Sequence, residues 1–157
     1  MGAGKSAVGR RLQERSGAAL LDMDEMIASR FGISIPEIFS TRGEQVFREA
    51  EMKLLRELRT DQLAILVTGG GVVLREENLN LLKRLGLVVW LDADEETLFQ
   101  RASQNSSRPL LQSANPRKTF SELLEARRPV YARIADIRID TASLTDDEVA
   151  EKILNHE

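Results

Sequence analysis

The sequence predicts an α/β fold, with helices packed around a central parallel sheet. Three observations predict it. Short apolar runs alternate with helix-length segments along the chain, the pattern of strand–helix–strand units. The runs are continuous in apolar residues rather than alternating, as strands buried on both faces require. Asp22, Asp24 and the triplet Gly69, Gly70 and Gly71 follow directly after such runs, and ligands in these folds sit at the carboxyl ends of strands.

Residues 5–16 have helical spacing, with Val8 and Leu12 on one face and Gly17 as a stop. Residues 18–21 are an apolar run ending at Asp22, read as the first strand. Residues 24–30 read as a helix stopped by Gly32, and Ser34 with Pro36 opens the next. After Gly43 a long amphipathic helix extends to Arg59, with Val46, Phe47, Leu54, Leu55 and Leu58 as its apolar residues. Residues 63–68 form a second strand, 76–85 a helix, 87–91 a third strand and 92–102 another helix. Residues 104–118 are polar, contain two prolines and show no periodicity; an irregular stretch of that length in a compact domain is usually functional. A helix over 119–134 is expected to kink or end at Pro129. Ile137 and Ile139 mark a short strand, and residues 145–154 a closing helix.

Length and composition narrow the function. At 157 residues without repeats or linker, 1–157 reads as one domain. No cysteine is present, so disulfides and thiolate metal sites are excluded. The net charge of −3 argues against a nucleic-acid partner, which needs a basic face. No apolar run approaches the roughly 18 residues of a membrane span, and the start lacks the pattern of a secretory signal. A cytoplasmic location, no membrane partner and a monomer are the expectations.

The chemistry begins at the first six residues, Met1-Gly2-Ala3-Gly4-Lys5-Ser6, which read as the end of a phosphate-binding loop, G-x-x-x-x-G-K-[ST]. Gly4 lets the backbone approach phosphate, Lys5 adds a positive charge, and the Ser6 hydroxyl can ligate Mg²⁺. The motif's first glycine would fall two residues before Met1, and the strand that should precede the loop is not in the sequence. Other residues carry two readings each. Asp24 is a substrate contact or merely a helix cap. Arg48 and Glu51 lie three apart on a helix, as a surface bridge or as an oriented arginine for an anionic substrate. Gly69, Gly70 and Gly71 are a flexible loop or a close approach of ligand to backbone. Arg108 is an exposed loop residue or a lid arginine for a transferring phosphoryl group. Of Arg127 and Arg128, one is expected to be structural. Trp90 reads as core, and His156 as exposed tail.

Together these segments resemble the shikimate kinase family, over essentially the whole chain. The resemblance runs through the phosphate loop, Asp22-x-Asp24, Ile35-Pro36-Glu37-Ile38-Phe39, Gly43-Glu44-x-x-Phe47-Arg48-x-x-Glu51, the glycine triplet, Val89-Trp90-Leu91-Asp92, Arg108-Pro109-Leu110-Leu111 and Arg127-x-Pro129-x-Tyr131. It implies a P-loop kinase three-layer sandwich. The family's sheet has five parallel strands, of which the first is absent from this chain, with a mobile lid at about 103–119 and a substrate-binding segment at about 24–59. The implied reaction moves the γ-phosphoryl group of ATP to the 3-hydroxyl of shikimate. By matched position, Gly2, Ala3, Gly4, Lys5, Ser6 and Ala7 would hold the phosphates. Ser6 and Asp22 would serve Mg²⁺, Asp24 would be the base, and Arg101 would lie along the adenine. Arg108 would arrive with the lid. Arg48 and Arg127 would clamp the substrate carboxylate, beside the backbone of the glycine triplet.

The chain departs from the family in three places. Ala7 stands where the family has Thr or Ser. Residues 141–145 lack an arginine that some relatives carry near the adenine. The start falls inside the loop, and the expectation is that an internal methionine was taken as the beginning. Two other functions remain open: another small-molecule kinase acting on gluconate or a nucleoside, or a ligand-binding module without catalysis.

Overall fold

The computed structural model describes residues 1–59, 61–104 and 111–156. Helices α1 (Lys5–Ser16), α2 (Met23–Phe31), α3 (Ile35–Arg42), α4 (Glu44–Glu57), α5 (Glu76–Leu85), α6 (Glu95–Ser103), α7 (Pro116–Ile134) and α8 (Asp146–Leu154) alternate with strands β1 (Ala19–Asp22), β2 (Ala64–Val67), β3 (Val89–Asp92) and β4 (Ile137–Asp140). The local chemistry explains the boundaries. Ser34 and Glu37 form a reciprocal capping box at α3, and Thr145 and Glu148 another at α8. Asp94 accepts from the Thr97 amide at 2.9 Å, so α6 begins at Glu95 rather than at Asp92. Asp92 instead ends β3.

One expectation about α7 is corrected and another is narrowed. The helix starts at Pro116, with Asn115 capping the Lys118 amide at 3.1 Å, so the irregular segment is shorter than 104–118. It also continues through Pro129 to Ile134 without ending. Proline at 129 removes the amide partner of the Glu125 carbonyl. Both residues are exposed, and water can meet that carbonyl instead.

The sheet consists of two parallel pairs. Leu20 is opposite Ile65 and Asp22 opposite Val67 in β1–β2; Trp90 is opposite Arg138 and Asp92 opposite Asp140 in β3–β4. Among the described residues β2 pairs only with β1, and β3 only with β4. Between the two pairs runs a cavity of about 520 Å³, lined by Ile65, Val67, Val89 and Leu91 from the strands and by Val8 and Leu12 from α1. It is a slot flanked by the two unpaired strand edges.

Helices cover both faces of this frame. On one face, Val8 and Leu12 of α1 and Val149 and Ala150 of α8 pack on Ile65, Val89, Leu91, Ile137 and Ile139. On the other, Met23, Ile27, Ile38, Phe47, Leu54 and Leu55 form the largest buried cluster with Val72, Val73 and Ile134. A third cluster, Ala3, Ala93, Leu98, Ala102, Phe120 and Leu124, ties the start of the chain to α6 and α7.

Candidate active site

The first six residues build an anion-binding start to α1. Gly4 caps the helix in the left-handed region, φ 81°, and no side chain fills the capping role. The first-turn amides and the positive end of the helix dipole therefore face outward. Gly2 is also left-handed, φ 72°, and a Cβ there would collide with the Leu98 carbonyl. Buried Ala3 packs beside Leu98 and Ala102, holding the loop against α6. Lys5 and Ala7 are half-buried in the first turn, and Ser6 is exposed. The Ser6 hydroxyl donates to Asp22 Oδ2 at 3.5 Å.

Asp22, not Asp24, caps α2. Its Oδ1 accepts from the amides of Asp24 at 3.0 Å and Glu25 at 3.3 Å. This leaves the Asp24 side chain to the opposite side, where its Oδ1 lies 3.3 Å from the position a Gly69 Cβ would take. Ser6 and Asp22 together present a hydroxyl and a carboxylate, the oxygen donors that suit Mg²⁺. Among the described residues no cluster of three His, Cys, Asp or Glu side chains could hold a metal alone. A cation there would depend on phosphate and water for its remaining ligands.

The surface-bridge reading of Arg48 and Glu51 is overturned. Arg48 is 8% exposed and Glu51 0%. Arg48 Nη1 donates to Glu51 Oε2 at 2.6 Å, and its Nε and Nη2 reach Glu44 Oε1 at 3.2 and 3.1 Å. Burial pushes the Glu51 carboxyl above the usual range, opposed by Arg48 and reinforced by Asp24. Arg127 is equally enclosed, 4% exposed, and its Nε and Nη2 make no hydrogen bond among the described residues. Two buried guanidinium groups thus flank the glycine triplet: Arg48 uses three of its five N–H donors on carboxylates, and Arg127 has two nitrogens without a hydrogen bond among the described residues.

The glycine triplet supplies the wall between them. None of the three needs a left-handed backbone; each is small because a side chain crosses it. A Cβ on Gly69 would lie 3.3 Å from Glu51 Oε1, and one on Gly70 3.0 Å from the Tyr131 hydroxyl and 3.3 Å from Arg127 Nη1. At Gly71 it would collide with the Arg48 guanidinium.

Arg128 is the structural member of its pair. It donates to Asp92 Oδ1 at 3.2 Å and to the Ala93 carbonyl at 2.6 Å, while Arg138 takes Asp92 Oδ2 at 2.7 Å. Arg101 is held by Thr141, through Oγ1 at 3.0 Å and the carbonyl at 3.1 Å. Buried Thr141 is itself fixed to the Asp92 carbonyl. Residues 141–145, which carry no arginine of their own, therefore anchor Arg101 through Thr141. Arg108 lies outside the described residues. Sequence reasoning gave no role to Thr141 or to Tyr131; the signal for Tyr131 was its place one helical turn after Arg127.

An α/β/α sandwich that turns a glycine-capped helix start toward a serine–aspartate oxygen pair is the construction of a P-loop phosphotransferase. The profile of the shikimate kinase family matches residues 1–156, and this chain belongs to that family. A shikimate kinase of Thermodesulfovibrio yellowstonii is 44% identical, over 98% of this chain and 88% of that protein. One from Actinobacillus pleuropneumoniae is 40% identical, over 99% and 88%. Among solved structures, shikimate kinase from Acinetobacter baumannii in complex with shikimate superposes with a TM-score of 0.92 at 40% identity, covering 98% of this chain and 86% of that one. The Aquifex aeolicus enzyme gives 0.83 at 35%, covering 98% and 89%.

Proposed function

We propose that this chain transfers the γ-phosphoryl group of ATP to the 3-hydroxyl of shikimate. The observation that carries the substrate assignment is Arg127, a buried guanidinium with two nitrogens lacking a hydrogen-bond partner among the described residues. Burying such donors unpaired is costly, and a carboxylate answers them with matching geometry. Arg127 and Arg48 take the shikimate carboxylate, against the backbone of Gly69, Gly70 and Gly71. Asp24 meets the reacting hydroxyl. The hydroxyl oxygen forms the new bond to the γ-phosphorus as the bond to the bridging oxygen breaks, ADP leaves, and Asp24 receives the hydroxyl proton.

Gly2, Ala3, Gly4, Lys5, Ser6 and Ala7 hold the phosphates, and Arg101 lies along the adenine. Ser6 directly, and Asp22 through water, would hold Mg²⁺, which would supply charge neutralisation at the phosphates. Arg108 joins the γ-phosphate from a lid at about 103–119, with 24–59 as the acceptor-binding segment of a single domain. The enzyme acts as a cytoplasmic monomer, without a nucleic-acid partner. Among the described residues no helix is long and apolar enough to cross a membrane.

A coupled ADP-release assay with shikimate tests the assignment. Asp24→Asn should lower kcat by about 10²- to 10⁴-fold, the range for losing a general base, while ATP binding measured by calorimetry stays within about twofold. Turnover of gluconate or a nucleoside, with none of shikimate, would reject the acceptor.

A further inference from the structure

We propose that Tyr131 is a positioning residue for the acceptor's carboxylate, acting through Gly70 and Arg127. The inference rests on the reading that Arg48, Arg127 and the glycine triplet hold that carboxylate. Three consecutive glycines carry the largest backbone freedom a chain can have, so a binding wall made of them needs external pegs. The structure supplies one for each carbonyl. Gly69 O accepts from the Val72 amide at 3.2 Å, and Gly71 O from the Leu74 amide at 3.1 Å. Gly70 O, in the middle, accepts from the Tyr131 hydroxyl at 2.6 Å. Among the described residues it is the only one of the three carbonyls held by a side chain rather than by the turn itself.

That hydrogen bond has two consequences. In a planar trans peptide the Gly70 carbonyl and the Gly71 amide point in opposite directions, so holding the carbonyl also fixes the amide of Gly71, the residue that the Arg48 guanidinium crosses. It also commits the carbonyl's negative end to a donor, away from an incoming anion. The same hydroxyl interacts with the Arg127 guanidinium, and Arg127 lies four residues earlier on α7, on the same helical face. Tyr131 therefore links the two sides of the anion site. Burial raises the phenol's pKa, opposed by Arg127, so at neutral pH the hydroxyl stays protonated and remains a donor. Its ring is placed independently, against Trp90 at 5.9 Å between centroids. Tyr131→Phe thus removes the peg and keeps the packing.

The test is calorimetric titration of wild type and Tyr131→Phe with shikimate, with its neutral carboxamide and with ADP. The expected result is an approximately tenfold loss of affinity for shikimate, in line with one lost hydrogen bond. The carboxamide and ADP should change by less than about twofold. A wild-type chain that binds no shikimate, or that does not prefer it over the carboxamide, removes the carboxylate clamp and this proposal with it. A preference that survives intact in Tyr131→Phe overturns the role of Tyr131 alone, and so does an equal loss for all three ligands. A second readout does not depend on the variant's folding. Tyr131 is the only tyrosine in the chain, so biosynthetic replacement by 3-fluorotyrosine labels this ring alone. Its ¹⁹F resonance should shift on adding shikimate and stay in place on adding the carboxamide; a resonance insensitive to both would overturn the proposal.

Discussion

Glu51 shows what residue-level spacing can reveal and what it hides. The i, i+3 relation to Arg48 correctly put both side chains on one face of α4, but spacing alone does not say whether that face meets water. The neighbouring pattern does. Phe47, Glu51, Leu54 and Leu55 are all buried on α4 and fall at i, i+4, i+7 and i+8, the apolar stripe of a core-facing helix. A carboxylate on that stripe is enclosed by construction. Its raised pKa means that ionisation costs the folded state more than the unfolded one. That stabilising contribution is present below the ordinary carboxylate pKa and is lost as pH rises through the raised value. Glu51→Gln removes the titration while keeping the shape. Urea denaturation should show the variant gaining stability relative to wild type as pH rises above the ordinary carboxylate range. If wild type gains on the variant instead, pairing with Arg48 outweighs burial.

At the scale of elements, most boundaries were legible because caps and stops are local chemistry. Ser34, Thr145 and Gly17 each end or open a helix where expected. The start of α6 is also set locally, by Asp94 capping the Thr97 amide, a signal that the reading of 92–102 passed over; the continuation of α7 through Pro129 depended on solvent reaching the Glu125 carbonyl, which no local pattern encodes. Gly9 makes the same point within α1. Glycine inside a helix costs about 1 kcal/mol relative to alanine, so the sequence alone invites its replacement. In the fold a Cβ there would lie 2.7 Å from Val67 Cγ2 and 3.1 Å from Leu20 Cδ1, and overpacking of that kind costs about 1–3 kcal/mol. The tertiary term wins. Gly9→Ala should lower Tm by a few degrees, at about 2–4 °C per kcal/mol for a domain of this size. A higher Tm would mean that the strands yield to α1.

For the molecule as a whole, the alternation of runs was enough to give the layered fold, but not the arrangement of its strands. The register and the separation of β1–β2 from β3–β4 come from long-range pairing. The slot between the pairs predicts how the protein will respond to an added strand. The Met1 nitrogen lies 3.7 Å from the position of a Gly70 Cβ, at the end of the slot where β2 gives way to the glycine triplet. A segment of about five β-branched residues fused ahead of Met1 can enter along both open edges, with each residue advancing about 3.3 Å. The fused protein should melt several degrees higher than the 157-residue chain; equal melting temperatures would count against this placement.

The open edges also bear on how the protein ages in a tube. Unpaired strand edges can recruit other chains when the slot opens, and recruitment between molecules is second order in protein. Dilution, more than cooling, should therefore extend the working life of a preparation, and activity lost from concentrated stocks should leave as larger particles rather than as unfolded monomer.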